Sequence, residues 1–367
     1  MGMLRLFLAL TVCLNHIIHV PGSVAEIPFG PGSSLAVEIF FMISGFYMAL
    51  ILGEKYTGDK SLQHFYKNRF LRIYPAYFFV LVLIVLVSFW VRLERGHWVF
   101  LTEAVAMFSR SDWFTQFYAT MANFLLLGQD SLFLLHHCPD TGGLSLWCAS
   151  QGGALPPWMM LVMPQAWSIE LEMLFYLICP LLVRLKTRTM VLGVLALLAI
   201  KMYVIGNVTD GDYWIIRFPP FELALFSLGI ISYRFYREYL KHVVTSKAMY
   251  SVVFFLFAFL IGCTCISGER VTMMAVYVVA FVSLPFVFRL SRESKVDRFI
   301  GDLSYPIYLV HQIVVQMVVY WYNGSYPVSV ALCLTIVASI FICQCIQRPI
   351  DSLRVYRSVA VKRYAVS

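Results

Sequence analysis

Uninterrupted apolar stretches such as "FFVLVLIVLVSFWV" (78–91) constrain this chain more than any other feature. They recur along its length, and the charges crowd into the short stretches between them. A hydrocarbon core about 30 Å thick takes about 20 apolar residues of helix to cross. Soluble domains carry about 25% charged and about 45–50% apolar residues, whereas this chain has 13% and 60%. A water-soluble fold is therefore excluded. A membrane barrel needs short segments in which apolar and polar residues alternate, and these runs do not alternate. Lipid leaves only the helix, which satisfies its own backbone. The expected fold is an all-α integral membrane bundle of about ten transmembrane helices.

The expected spans are 4–21, 34–52, 74–92, 166–183, 189–206, 214–232, 248–266, 271–288, 303–321 and 328–346. The first is read as a retained span, since no small-x-small cleavage site follows its apolar core. With the N-terminus inside, the inner segments hold 22 Lys and Arg and the outer loops four, Arg92, Arg95, Arg110 and Arg270. That asymmetry places both termini in the cytosol and explains the +8 net charge without nucleic acid. Residues 1–350 form one membrane domain, and 351–367 form a short basic cytosolic tail. The outer loop 93–165 contains two apolar pieces too short to span, expected as interfacial or re-entrant helices, with a crossing hairpin as the alternative. Cys138 and Cys148 share that loop, where they form either a disulfide or two free thiols.

Ionisable residues within a span are costly and mark function unless they pair structurally. In "RLFLALTVCLNH", eleven helical steps separate Arg5 from His16. They turn about 1100°, close to three full turns, and rise about 16 Å. One face therefore carries a guanidinium at the inner lip and an imidazole deep in the bilayer. Imidazole titrates near neutrality, so His16 can act as a general base, or else accept a group covalently. A histidine merely bonded to a neighbouring helix is the plainer alternative. Arg69 and Arg72 share a helical face at the inner membrane edge, where they can hold phosphates or simply anchor the third span.

Five landmarks resemble the acyltransferase-3 family of membrane-bound O-acyltransferases. They are the Arg, ten residues and His of the first span, "FFMISGF" in the second, "NRFLRIYPAYF", "WSIELEMLFY" and "SYPIYLVH". The resemblance implies an acyl-CoA donor, acetyl-CoA foremost, handled by Arg69 and Arg72, with Arg5 joining the phosphate-facing set. It implies an acceptor hydroxyl on a cell-surface polysaccharide or glycolipid, in a bacterial inner membrane. Glu172 falls on the family's glutamate, with Glu170 about 200° round the helix. Where the family often has "GVDxFF" this chain has "AVEIFF", so Glu38 takes the carboxylate position; it either orients His16, binds the acceptor, or lines a wet outer mouth. Gln347 of "QRP" replaces a frequent acid, and the esterase-like domain of larger members is not expected.

Tyr305, Tyr308 and His311 lie on one stripe of the ninth span, lining the donor channel or packing. Lys201 and Arg217 are expected to snorkel to headgroups. Ser44 and Gly45 lack a nucleophile elbow and are expected to let helices approach closely. The Cys and His spacings make no zinc site. The rival from another class is a transporter or flippase for a glycan or lipid-linked precursor, which predicts an internal repeat that is not visible.

Overall fold

A computed structural model describes residues 1–19, 29–56, 60–146, 156–207, 213–243, 246–263, 268–322 and 326–353. Helices α1 (Gly2–His19), α2 (Ser33–Glu54) and α3 (Ser61–Arg95) come first. An outer segment follows with the short helices α4 (Thr102–Phe108), α5 (Trp113–Leu125) and α6 (Ser131–Leu134). Then come α7 (Trp167–Leu182), α8 (Thr187–Asn207), α9 (Pro219–Phe235), α10 (Lys247–Gly262), α11 (Glu269–Ser291), α12 (Lys295–Asp302), α13 (Ser304–Tyr322) and α14 (Val328–Ile342). Among the described residues, eight helical segments are long and apolar enough to cross a membrane. The shorter apolar segments Gly2–Ile18 and Lys247–Gly262 occupy the two remaining places where the sequence predicts spans. The chain is a multi-pass membrane bundle.

Helix α3 has 35 residues, about 52 Å at 1.5 Å each. It therefore overruns the bilayer, and its first turns carry Arg69 and Arg72 on a rigid extension of the span. Pro75 sits inside it, tolerated because neighbouring helices can re-satisfy the freed backbone groups.

Helix α2 is the central strut, with residues on every side of it buried. Its contact with α9 is backbone against backbone. A Cβ on Gly45 would lie 1.9 Å from the Phe226 carbonyl oxygen, and one on Gly229 1.9 Å from that of Met42. Only glycine fits either place, the close approach the sequence predicts at Gly45.

Lys201 corrects an expectation. Its ammonium does not snorkel but is fully buried, 2.5 Å from Glu38 Oε1 and 2.9 Å from Glu222 Oε1. The ring of Tyr277 lies 5.7 Å from it. Two carboxylates within reach offer a charge-assisted partnership inside the protein, so the side chain has no need of water. The triad ties α8 to α2 and α9.

The outer segment packs over the mouth of the bundle. Asp112 caps α5 by accepting from the Thr115 N–H at 2.7 Å. The hydroxyls of Tyr74 and Tyr77 on α3 donate to the carbonyls of Phe124 and Asn123. Glu170 of α7 accepts from the backbone N–H groups of Gly128 (2.6 Å) and Asp130 (2.8 Å), pinning that turn. A two-residue hairpin pairs His136–His137 with Leu144–Ser145. Cys138 is disulfide-bonded; Cys148, the partner weighed for it, lies outside the described residues.

Removing one member of a buried charge set leaves the others unpaired, at a cost of about 3–5 kcal/mol. Lys201→Met should therefore lower the unfolding midpoint of the detergent-purified protein sharply. Adding Glu38→Gln and Glu222→Gln should restore most of it. A Lys201→Met protein that melts like wild type would refute the triad's structural role.

Candidate active site

A polar contact between two imidazoles joins α1 to α13. His16 Nδ1 lies 2.7 Å from His311 Nε2, with the two rings within 6° of parallel. The hydrogen-bond network assigns the protons. His311 Nδ1 is 2.8 Å from the Tyr308 carbonyl oxygen, which can only accept. His311 therefore carries its proton on Nδ1, and in its neutral form Nε2 is an acceptor. His16 must then donate from Nδ1, which makes Nε2 the basic position of the His16 ring. His311 is fully buried, and its Tyr308 neighbour packs with ring centroids 5.8 Å apart.

One face of this pair leads to a basic cluster. Arg5 stands within electrostatic reach of Arg72, Tyr47, Asp302 and Glu172. Arg69, on the same helix as Arg72, is buried with its guanidinium carbon 5.5 Å from the Tyr176 ring centroid. Its Nε has no hydrogen-bond partner among the described residues. Glu172 Oε1 accepts from Ser44 Oγ at 2.8 Å and from the Tyr176 hydroxyl at 2.5 Å. Tyr305 donates to the Ile73 carbonyl at 2.8 Å, so α13 is bolted to α3 beside the arginines. Like charges held together in a site of low dielectric favour binding of an anion. Three arginines, one with a buried N–H unmatched among the described residues, thus offer a place for an anion.

The other face leads outward. The Tyr308 hydroxyl lies 2.6 Å from Ser168 Oγ and donates to the Gln165 carbonyl at 2.7 Å. Arg217, expected at the headgroups, instead points inward. Its guanidinium carbon is 3.7 Å from the Phe133 ring centroid and 4.3 Å from that of Trp167. Stacking on two rings holds the charge in place of headgroup contact. Asp130 lies within electrostatic reach of Arg217. It is 5% exposed, and among the described residues both its carboxyl oxygens lack a hydrogen-bond partner. Gln165 Oε1 is likewise buried and unmatched.

Of the residues singled out in the sequence, the structure brings His16, His311 and Tyr308 together, and Arg5, Arg72, Glu172 and Tyr305 together. Glu38 belongs elsewhere, committed to Lys201. Asp130 and Gln165 were not singled out, because neither sits in a span or a motif. Arg217 had one usable signal, the aromatic run "YWIIRF" around it, which supplies ring faces to a cation. Among the described residues, no cluster of three or more His, Cys, Asp or Glu could hold a metal ion.

A family model described as an acyltransferase domain matches residues 1–348. A protein of Acidianus two-tailed virus, described as a candidate acetyltransferase, is 24% identical over 331 residues, covering 86% of this chain and 82% of that one. No solved structure matches the chain.

Burial first, and the neighbouring Glu170 second, push the Asp130 carboxyl up to about 8 against the opposing pull of Arg217. Between about pH 4 and pH 8 the folded chain holds a proton that the unfolded chain has released, so stability falls as pH rises through that window. The unfolding midpoint should decline from about pH 5 to pH 8, and Asp130→Asn should flatten that decline. Identical pH profiles for the two proteins would remove the buried proton from Asp130.

Proposed function

The chain belongs to the acyltransferase-3 family of membrane acyltransferases, and we propose that it moves an acyl group, acetyl foremost, from cytosolic acyl-CoA to a hydroxyl of a cell-surface polysaccharide or glycolipid. The observation that carries the reading is the hydrogen bond between His16 and His311. It fixes the tautomer a general base needs, on the same helix that carries Arg5.

The roles follow from chemistry. Arg5, Arg69 and Arg72 hold the phosphates of CoA at the inner edge, where bidentate guanidinium groups suit them. The rise from Arg5 to His16 is about 16 Å, comparable to an extended pantetheine arm, so the thioester reaches the imidazole while the nucleotide stays inside. The acceptor hydroxyl comes from the outer side, past Tyr308. His16 Nε2 takes the hydroxyl proton as that oxygen attacks the thioester carbonyl. The tetrahedral adduct collapses with cleavage of the C–S bond. The imidazolium returns its proton to the departing thiolate, leaving ester and free CoA. His311 acts on His16 alone: in its neutral form it accepts from Nδ1 whether the His16 ring is neutral or protonated, and holds that ring in orientation.

Glu172, held by Ser44 and Tyr176 and within electrostatic reach of Arg5, is suited to position the donor beside the arginines. On the outer side, the protonated Asp130 carboxyl and Gln165 Oε1, unmatched among the described residues, suit an acceptor whose hydroxyls both donate and accept. The plasma membrane with its basic side inward is the location consistent with a cytosolic donor.

Purified protein with labelled acetyl-CoA and cell-wall glycan tests the assignment. His16→Ala should lower transfer by about 10²–10⁴-fold with the fold intact, whereas Arg72→Gln should act chiefly on the KM for the donor. Wild-type transfer by the His16→Ala protein would rule out the proposed base. Mass spectrometry of surface glycans, with and without the gene, names the acyl group.

A further inference from the structure

A cavity of about 270 Å³ opens between the basic ends of α2, α7, α8 and α9, away from every residue assigned a role above. Lys186, Arg234 and Arg237 line it together with Thr187, against an apolar wall that includes Val183 and Tyr233. Among the described residues, no carboxylate contributes to the lining. Glu54 abuts it, accepting from the Tyr233 hydroxyl at 3.3 Å, but its charge is matched by Lys241 at 3.2 Å.

Arg234 is fixed in place. It donates to the carbonyls of Val183 (3.0 Å) and Leu185 (2.7 Å) and to Thr187 Oγ1 (2.8 Å). It thereby satisfies the end of α7 and presents a pre-set positive charge. Lys186 and Arg237 are exposed and make no ion pair with the described residues. Helix α8 begins at Thr187, so the positive end of its dipole faces the same cavity. Leu181, Leu185 and Phe235 remain exposed on the flanks, as surfaces for acyl chains.

We propose that this cavity binds the phosphate headgroup of an anionic membrane lipid. Three cations and a helix N-terminus, with the adjoining Glu54 already matched by Lys241, define a phosphate site, and its position between the ends of four helices of the bundle places it at headgroup depth. The apolar wall and flanks favour a lipid over a soluble phosphate, which has no use for them. The inference does not depend on the acyl-transfer reading.

The test uses the full chain reconstituted in nanodiscs of phosphatidylcholine with a minor share of phosphatidylglycerol, read by native mass spectrometry. Wild type should retain phosphatidylglycerol in preference to phosphatidylcholine. The double variant Lys186→Gln/Arg237→Gln should lose that preference roughly tenfold or more. Both side chains are exposed, so the variant should melt as wild type does; Arg234 is left in place because it also caps α7. Equal retention of the two lipids by wild type, or an unchanged preference in the variant, overturns the proposal. So does displacement of the lipid by millimolar inorganic pyrophosphate, which would give the cavity to a soluble phosphate instead.

Discussion

Inside a bilayer no water stands ready to solvate a side chain, so a polar group there must find its partner within the protein. The architecture follows from how this chain meets that demand. The imidazoles of His16 and His311 satisfy each other across α1 and α13. Lys201 satisfies Glu38 and takes Glu222 as well, across α2, α8 and α9. Glu172 takes two hydroxyls from α2 and its own helix. Each set bridges helices that are far apart in sequence, and each fixes a register that apolar packing alone would leave loose. The same lack of water gives a base or a cationic cluster its strength.

The number and position of the spans were legible because hydrophobic run length is a one-dimensional property. The Arg5 and His16 pairing was legible for a related reason: two residues on one helix obey its period. The partners that cross between helices were not legible. Nothing local says that Lys201 of α8 faces Glu38 and Glu222, and snorkelling was the reasonable expectation for a lysine near the middle of an apolar run. Arg217 misled in the same way, its true neighbours Phe133 and Trp167 being separated from it by long stretches of chain. His311 could be placed on a stripe with Tyr308, but its bond to a residue 295 positions away could not be read from that stripe.

The candidate site is a sequence of unlike environments. Arginines gather on the Arg5 side of α1, the imidazole pair of His16 and His311 lies about three turns further along that helix, and Tyr308 leads on to Ser168 and Gln165.

The glycine seam between α2 and α9 limits which parts can move. Two backbones that interlock at Gly45 and Gly229 cannot slide past each other by a turn, because neighbouring carbonyls would collide. With Lys201 clamping α8 to both, these three helices form a stator. Any relative motion within the bundle must then be carried by helices outside this block, α1, α3 and α13 among them.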